Sequence, residues 1–245
     1  MNPILELHTS ATGGPAPGLT FETFFVGEPN REACLAAKSA AGSSTLLILC
    51  GDTGTGKTHL LNAIHAELLA NNPAAVIKQL NSDDFISYLI QSIRAETTEQ
   101  FRSDCQTADA FLLDDVQFLA GKERTQEELF LILEARCQSN RLTVITLDCT
   151  AEETIRSSFF KRFPDAVSAT ITEPDHEIRA AIVRAKAEDL GLRLSEEEMD
   201  LIAQQISGSL RNIHGVLNRI NMYRSFPDAF PDAPTVEEIV CSINN

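Results

Sequence analysis

Positive charge is scarce in this 245-residue chain, which has 20 lysines and arginines against 35 aspartates and glutamates. The formal net charge is −15 at pH 7. Because neutralising DNA phosphates requires clustered cations, the sequence predicts that the chain does not coat duplex DNA. Any contact with nucleic acid would have to be local, and helped by a bound nucleotide, a metal or a partner.

The chain also lacks a C-x-x-C cysteine pair and a long apolar run. Its longest aliphatic run, Leu46 to Cys50, is far shorter than the roughly 20 residues of a membrane span. No lysine or arginine precedes Arg31, so the start of the chain does not resemble a signal peptide. The unpaired spacing of the six cysteines indicates reduced thiols. These features predict a cytoplasmic protein without a membrane partner.

Short apolar runs alternate with helical patterns through the first two thirds of the chain. The predicted strands are residues 45–50, 75–80, 110–113, 142–147 and 166–171. Helical patterns lie between them near residues 30–41, 57–70, 82–94, 96–106 and 124–138. This alternation predicts an α/β fold, with a five-stranded parallel sheet sandwiched by helices.

After Pro174 the strand signals stop and only helical patterns follow. These lie near residues 175–190, 195–206, 209–223 and 235–243. The sequence therefore predicts three parts: a flexible lead over 1–20, an α/β domain over 21–172 and a small all-helical domain over 173–245.

A glycine-rich loop directly follows the first predicted strand and opens a helix. It reads Gly51-Asp52-Thr53-Gly54-Thr55-Gly56-Lys57-Thr58, in the context that a phosphate-binding loop requires. Its glycines let backbone N–H groups face phosphates, and the helix adds its positive end. Lys57 can reach the β- and γ-phosphates, and the Thr58 hydroxyl can ligate Mg²⁺. The alternative is a glycine-rich turn that happens to contain a lysine, but the flanking strand and helix favour a site for ATP or ADP with Mg²⁺.

A second motif ends the third predicted strand in two carboxylates. Asp114 and Asp115 follow the apolar run Phe111-Leu112-Leu113, which places them at the carboxyl edge of the sheet. We expect Asp114 to hold Mg²⁺ through water and Asp115 to position or deprotonate the attacking water. The alternative is a surface turn, and the glycine-rich loop upstream favours the metal site.

Four segments carry a resemblance to a known family. They are Phe24-Phe25-Val26-Gly27 with Asn30, Gly56-Lys57-Thr58-His59-Leu60-Leu61, Leu112-Leu113-Asp114-Asp115-Val116-Gln117-Phe118-Leu119-Ala120-Gly121-Lys122-Glu123, and Thr125-Gln126-Glu127-Glu128. Through them, residues 20–224 resemble the AAA+ ATPase domain of the bacterial replication initiator DnaA. The resemblance implies an AAA+ P-loop NTPase fold followed by a helical lid domain, with ATP bound between the two domains. It also implies slow hydrolysis that depends on a neighbouring subunit.

The resemblance assigns roles to individual residues. Val26 and Asn30 match the segment that packs on the adenine, and Asp148 matches the acid that senses the γ-phosphate region. Arg162 matches the arginine finger of a neighbouring subunit, and Arg211 matches the lid arginine that reads the nucleotide. The expected nucleotide-binding residues are Val26, Asn30, Gly51, Thr53, Gly54, Thr55, Gly56, Lys57, Thr58, His59 and Arg211. The expected catalytic residues are Asp115, Asp148 and Arg162, and the expected metal ligands are Thr58 and Asp114. The alternatives are a surface cation at Arg162 and an exposed helix residue at Arg211.

The family carries a helical insertion that corresponds here to residues 83–106. Ile90, Lys122 and Arg124 match positions that grip single-stranded DNA in the family. Two alternatives stay open: Ile90 belongs to an Ile86–Leu89–Ile90–Ile93 core stripe, and the two cations are solvated. The insertion has five acidic side chains and two arginines, a charge of −3 that opposes an electrostatic strand channel.

Some features of the sequence depart from the family. The helix-turn-helix module that reads duplex sites has no counterpart in these residues. Cys105-Gln106 replaces an aromatic-basic pair that takes part in a subunit contact, and Cys149-Thr150 replaces an Arg-Pro pair after Asp148. Ile4-Leu5-Glu6-Leu7 partly matches the sliding-clamp motif of Hda-type regulators, but an apolar extended stub is the alternative.

Three functions follow as expectations. The favoured one is an ATP-dependent protein that acts in, or regulates, replication initiation by assembling with itself or with a DnaA-like AAA+ chain. The second is an AAA+ helicase loader. The third is a nucleotide-bound scaffold without turnover.

Overall fold

The structure is a computed structural model that describes residues 14–42, 46–149, 153–206, 208–226, 229–230 and 232–242. The predicted clamp motif over residues 4–7 lies outside the described residues. The chain forms two compact units. The first comprises Met1–Phe24, Glu32–Gly51 and Lys57–Ile171, and the second comprises Phe25–Arg31, Asp52–Gly56 and Thr172–Asn245.

The first unit contains a five-stranded parallel sheet with the strand order β2-β3-β4-β1-β5. The strands are β1 (Leu46–Gly51), β2 (Ile77–Asn81), β3 (Ala110–Asp114), β4 (Leu142–Asp148) and β5 (Val167–Ile171). Every residue of β1, β3 and β4 is buried, as expected for strands covered on both faces. The α/β fold and the five predicted strands are confirmed, with strand ends within two residues.

Ten α-helices lie in the described ranges. They are α1 (Arg31–Ala40), α2 (Lys57–Asn71), α3 (Ser82–Arg94), α4 (Thr98–Thr107), α5 (Glu123–Gln138), α6 (Glu153–Arg162), α7 (His176–Asp189), α8 (Glu196–Gln205), α9 (Leu210–Ser225) and α10 (Val236–Cys241). Short 3₁₀ helices span Glu28–Asn30 and Val116–Leu119. Helix α6 was not predicted from the sequence, because its polar and charged residues make only a weak amphipathic pattern.

Alternate residues of β1 point into two different hydrophobic clusters. Ile48 and Cys50 pack with Phe85, Phe101 and Phe111 on one face of the sheet. On the other face, Leu47 and Leu49 pack among residues of α1 and α2. Helices therefore cover both faces, and the sheet holds the ends of β1, β3 and β4 at one fixed edge.

A separate hydrophobic cluster holds the helices of the second unit together. Its buried members include Val183 on α7, Ile202 on α8, Val216 and Leu217 on α9, and Ile239 on α10. Two loop segments join this unit although the sequence analysis placed them in the α/β domain. A Cβ at Gly27 would lie 2.6 Å from Ile178 Cδ1, and Gly54 O accepts a hydrogen bond from Leu210 N at 3.0 Å.

Part of the predicted flexible lead is held against α2. The Ala16 N–H donates to Asn62 Oδ1 at 2.8 Å, and His59 Nε2 lies 2.9 Å from Thr20 O. These residues therefore have polar partners on α2 that composition does not reveal, and the flexibility of the lead stays a prediction. In the described ranges, no helix combines the length and the apolarity that crossing a membrane requires.

Candidate functional site

The glycine-rich loop turns sharply between β1 and α2. Gly54 and Gly56 have φ values of +80° and +112°, a backbone region that residues with a Cβ rarely adopt. The Lys57 side chain is buried, and its ammonium donates to Gly51 O at 2.7 Å. Within the loop, the Thr55 hydroxyl donates to Asp52 O at 2.9 Å. The lysine is therefore folded back along the loop, at the start of a helix whose N–H groups attract anions.

Gly54 also packs closely against the start of α9 inside the second unit. A Cβ at Gly54 would lie 1.9 Å from Ser209 Oγ, so no side chain fits at this position. Ser209 caps α9 and accepts a hydrogen bond from Arg211 N at 3.2 Å. Arg211 is exposed in the first turn of α9, two residues after the serine that touches the loop.

The end of β3 brings the predicted metal ligands together. The Thr58 hydroxyl donates to Asp114 Oδ2 at 2.8 Å, and the Thr146 hydroxyl donates to Asp114 Oδ1. The pKa of Asp114 is raised above its ordinary value, chiefly because the carboxyl is buried. The hydrogen bonds from Thr146 and Thr58 and the charge of Lys57 act in the opposite direction but do not cancel this effect. Both carboxylate oxygens are therefore oriented by the protein, and Thr58 and Asp114 present the oxygen ligands that Mg²⁺ prefers.

Asp115 has an unusual backbone conformation. Its φ of 59° and ψ of 47° place it in the left-handed region, which a non-glycine residue seldom occupies. Its N–H donates to Thr146 Oγ1 at 2.7 Å, and its carbonyl accepts from Ser82 Oγ at 2.8 Å. Gln117 Nε2 donates to its Oδ1 at 2.9 Å. Such local strain is typical of functional positions, where the surroundings fix the conformation.

Asp148 ends β4 beside the start of the glycine-rich loop. The parallel register pairs Asp148 with Gly51, and the next residue, Cys149, donates its N–H to Gly51 O at 3.2 Å. Asp148 is buried. Asp148 and Asp114 end neighbouring parallel strands and so lie at the same edge of the sheet, and the role of Asp148 toward the γ-phosphate stays a prediction.

Arg162 lies on the surface at the end of α6. Its Nε donates to Glu134 Oε1 at 2.6 Å, and its guanidinium lies 5.0 Å from the Phe130 ring centroid. The hydrogen bond with Glu134 raises the pKa of Arg162, so the guanidinium stays charged. The side chain is 42% exposed and can be reached by another protein.

Three other residues predicted to contact the nucleotide, Val26, Asn30 and His59, have different surroundings. Val26 is 49% exposed, whereas Asn30 is buried. The Asn30 side chain donates to Phe25 O and accepts from Gly27 N, both at 2.9 Å, so it closes the turn that presents Val26. The His59 ring contacts Thr20 O and packs edge-on against Phe24 at 5.1 Å. Their roles toward a nucleotide stay predictions.

The predicted DNA-contacting residues are exposed. Ile90 is 44% exposed on α3, so the core alternative for this residue is wrong. The buried face of α3 runs through Phe85 and Leu89, which turns Ile90 away from the core. Lys122 donates to Phe118 O at 2.6 Å, and Arg124 lies exposed in the first turn of α5. These three positions are accessible, as a DNA contact would require.

Three residues that contact the acids were not predicted from the sequence: Ser82, Gln117 and Thr146. The sequence offers a weak signal for two of them, since Gln117 belongs to the Asp-Asp-Val-Gln-Phe segment and Thr146 is a polar residue inside an apolar strand. No pattern rule assigns either a partner. In the part of the chain that the structure describes, no group of three or more His, Cys, Asp or Glu residues forms a separate metal site.

The sheet order, the lysine-bearing loop after β1 and the paired acids after β3 define a P-loop NTPase core of the AAA+ class. The family model of the bacterial DnaA ATPase domain matches residues 16–166. This chain therefore belongs to the DnaA ATPase-domain family.

Individual relatives agree with this assignment. The chromosomal replication initiator protein DnaA of Herpetosiphon aurantiacus is 39% identical over 217 residues, which are 84% of this chain and 45% of that protein. Domain III of Thermotoga maritima DnaA has a TM-score of 0.80 at 27% identity, covering 94% of this chain and 97% of that chain. A DnaA structure with AMPPCP and single-stranded DNA has a TM-score of 0.73 at 29% identity, covering 89% and 69%. The chain thus spans about half the length of the full initiator that it matches.

Proposed function

We propose that this chain binds ATP and ADP with Mg²⁺ and acts in chromosomal replication initiation as a slow ATPase that works through assembly. The observation that carries the proposal is the hydrogen bond of 2.8 Å that the Thr58 hydroxyl donates to Asp114 Oδ2, next in sequence to the buried Lys57. A phosphate-binding loop, a cation and two oriented oxygens on one side of a sheet suit a triphosphate with its metal.

The nucleotide contacts are assigned to the loop and its neighbours. Backbone N–H groups of residues 51–58 bind the phosphates, and Lys57 leaves Gly51 O to reach the β- and γ-phosphates. Val26, in the turn closed by Asn30, packs on the adenine, and Arg211 reads the phosphates from the start of α9. The related DnaA structure with AMPPCP supports binding of a nucleotide.

Hydrolysis depends on the acids at the sheet edge. When bound, Mg²⁺ neutralises charge on the phosphate oxygens, and Thr58 and Asp114 are the residues that would hold it. Asp115 orients the attacking water and accepts its proton, while Asp148 senses the γ-phosphate region from the end of β4. The strained backbone of Asp115 and its hydrogen bonds to two other elements support a fixed catalytic position.

Arg162 acts on the site of a neighbouring molecule. It is exposed and paired with Glu134, so it can exchange that carboxylate for the phosphates of a nucleotide bound by a second chain. Because the arginine finger is supplied by a neighbouring molecule, the isolated chain hydrolyses ATP slowly. The neighbour is a second copy of this chain or a longer DnaA-like chain.

Single-stranded DNA is a further candidate partner. The exposure of Ile90, Lys122 and Arg124 supports it, as does the relative that is bound to single-stranded DNA. The negative charge of residues 83–106 opposes it, so binding would depend on assembly. Binding of a sliding clamp through residues 4–7 remains a prediction.

Size-exclusion chromatography tests the assembly. We expect a shift to larger species with ATP, but not with ADP or without nucleotide. Arg162→Ala should abolish the shift, whereas Lys161→Ala, which removes the adjacent exposed cation, should preserve it.

The same experiment separates the alternative functions. A shift that requires a ring helicase rather than a DnaA-like chain would favour the helicase loader. No shift, together with normal cellular function of Asp115→Asn, would favour a scaffold without turnover. No shift in any mixture, with function lost in Asp115→Asn, would contradict assembly as the output of ATP binding.

A further inference from the structure

Gln117 makes two hydrogen bonds of opposite sense in the 3₁₀ helix after β3. Its Nε2 donates to Asp115 Oδ1 at 2.9 Å, and its Oε1 accepts from the Asp148 N–H at 3.1 Å. The single amide therefore joins a side chain that follows β3 to the backbone at the end of β4. The proposed hydrolysis described above assigns no step to this residue.

The two residues that Gln117 contacts, Asp115 and Asp148, lie at the carboxyl ends of neighbouring strands. β3 and β4 are neighbours, and β4 in turn pairs with β1, whose last residue Gly51 lies opposite Asp148. The Gln117 amide therefore connects Asp115 to the strand that borders the start of the glycine-rich loop. A shift of the Asp148 backbone would be transmitted to the Asp115 carboxylate through the Gln117 side chain.

Other contacts fix the backbone of Asp115 but not its carboxylate. Its N–H is held by Thr146 Oγ1 and its carbonyl by Ser82 Oγ, at 2.7 Å and 2.8 Å. These bonds locate the Cα atom, whereas the two side-chain torsions still have to be set. The donor on Gln117 Nε2 contacts the carboxylate directly and so sets its orientation.

We propose that Gln117 is a positioning residue for ATP hydrolysis, which ties the orientation of the Asp115 carboxylate to the position of the Asp148 backbone. The inference rests on the proposed ATPase activity. A glutamine suits this task because one amide carries both a donor for a carboxylate and an acceptor for an N–H. A glutamate would keep the acceptor but set a second carboxylate against Asp115, and an alanine would remove both contacts.

The test compares Gln117→Glu and Gln117→Ala with the wild-type chain in steady-state ATP hydrolysis under assembling conditions. We expect kcat to fall at least about tenfold in both variants, since small displacements of catalytic groups are costly. The KM for ATP and the affinity for ADP should stay within about twofold. Gln117→Glu preserves the size of the side chain, and the thermal unfolding midpoint of each variant checks its folding.

Gln126→Ala is the matched control. Gln126 donates its Nε2 to Leu119 O at 2.7 Å on α5 and touches neither acid, so its loss should leave kcat unchanged. A second readout is the hydrogen exchange of the Asp148 amide, which should accelerate in Gln117→Ala and stay slower in Gln117→Glu, where an acceptor remains.

Failure of the role of Gln117 and failure of the proposed ATPase activity would give different results. Wild-type turnover in both folded Gln117 variants would overturn the role of Gln117 alone, as would a loss of kcat matched by an equal loss of ATP affinity. A wild-type chain that binds ATP but never hydrolyses it, even when assembled, would overturn the proposed turnover and with it this role.

Discussion

The Thr58 hydroxyl lies 2.8 Å from Asp114 Oδ2, although 56 residues separate the two in sequence. The sheet order places β4 between β3 and β1, and Thr146 on β4 donates to the other oxygen of Asp114. The first turn of α2 and the neighbouring strand β4 thus orient the carboxylate that ends β3. Because the protein has already fixed these oxygens, they would need little rearrangement to hold the proposed Mg²⁺.

Replacing Asp115 by asparagine should separate binding from hydrolysis. Asparagine keeps an oxygen that can accept from Gln117 Nε2 but loses the negative charge needed to take a proton. We expect the ATP affinity to change less than about twofold and single-turnover hydrolysis to fall about 100-fold or more. Asp165→Asn, at an exposed acid in the turn after α6, is the control and should hydrolyse normally. Equal turnover in both variants would remove Asp115 from the mechanism.

The strands and the nucleotide loop could be predicted because each has a local cause. The run from Leu46 to Cys50 is apolar on both faces, so it reads as a central strand, and the glycines of the loop fix the turn that follows. Parallel topology then places Asp114, Asp115 and Asp148 at one edge.

The remaining features of the site and core could not be predicted, because they depend on side-chain directions between elements that are distant in sequence. Nothing in the periodicity distinguishes Ile90, which is exposed, from Leu89, which is buried. The bridge through Gln117 depends on a rotamer, and no sequence rule assigns Arg136 to the core, since arginine is rarely buried.

Arg136 should be a major determinant of stability. Its fully buried guanidinium donates to Cys105 O at 2.8 Å and to Ala108 O at 2.9 Å, and its Nε donates to Thr143 Oγ1 at 2.8 Å. Burial lowers the pKa of Arg136 to about 10. Because Arg136→Ala leaves buried carbonyls without donors, we expect a loss of about 3 kcal/mol or more in the free energy of unfolding, measured in urea.

Arg141→Ala is the matched control for this measurement. Arg141 also donates to Ala108 O, at 3.2 Å, but it is only partly buried and water can replace it. We expect a loss below about 1 kcal/mol. Similar losses for the two arginines would contradict the structural role assigned to Arg136.

Acidification should reduce the stability of the folded chain through His59, because protonation places a charge on a largely buried ring. Burial lowers the pKa of His59 below its ordinary value of 6.5, so the folded state favours the neutral ring. The stability linked to this residue is fully present above pH 6.5 and is lost as the pH falls through the folded pKa. Thermal unfolding from pH 8 to pH 5 should therefore show a steeper loss for the wild type than for His59→Gln. Parallel curves would contradict the prediction.

Binding of single-stranded DNA should respond differently to an apolar and a charged substitution. Ile90→Ala should lower the affinity of the ATP-bound assembly for a labelled oligonucleotide without changing its salt dependence. Lys122→Ala should lower the affinity and also reduce the salt slope, because one phosphate contact is lost. Fluorescence anisotropy at several salt concentrations measures both, with Lys161→Ala as the control. Unchanged binding in both variants would exclude this surface as the DNA contact.

The most direct test of the account is an isothermal titration of the chain with ATP in the presence of Mg²⁺. We predict saturable binding that Lys57→Ala weakens at least about tenfold, because the loop loses its cation for the β- and γ-phosphates. Lys161→Ala, at an exposed lysine of α6, should bind like the wild type. A wild-type chain without affinity for ATP or ADP, or a Lys57→Ala variant with unchanged affinity, would contradict the central claim.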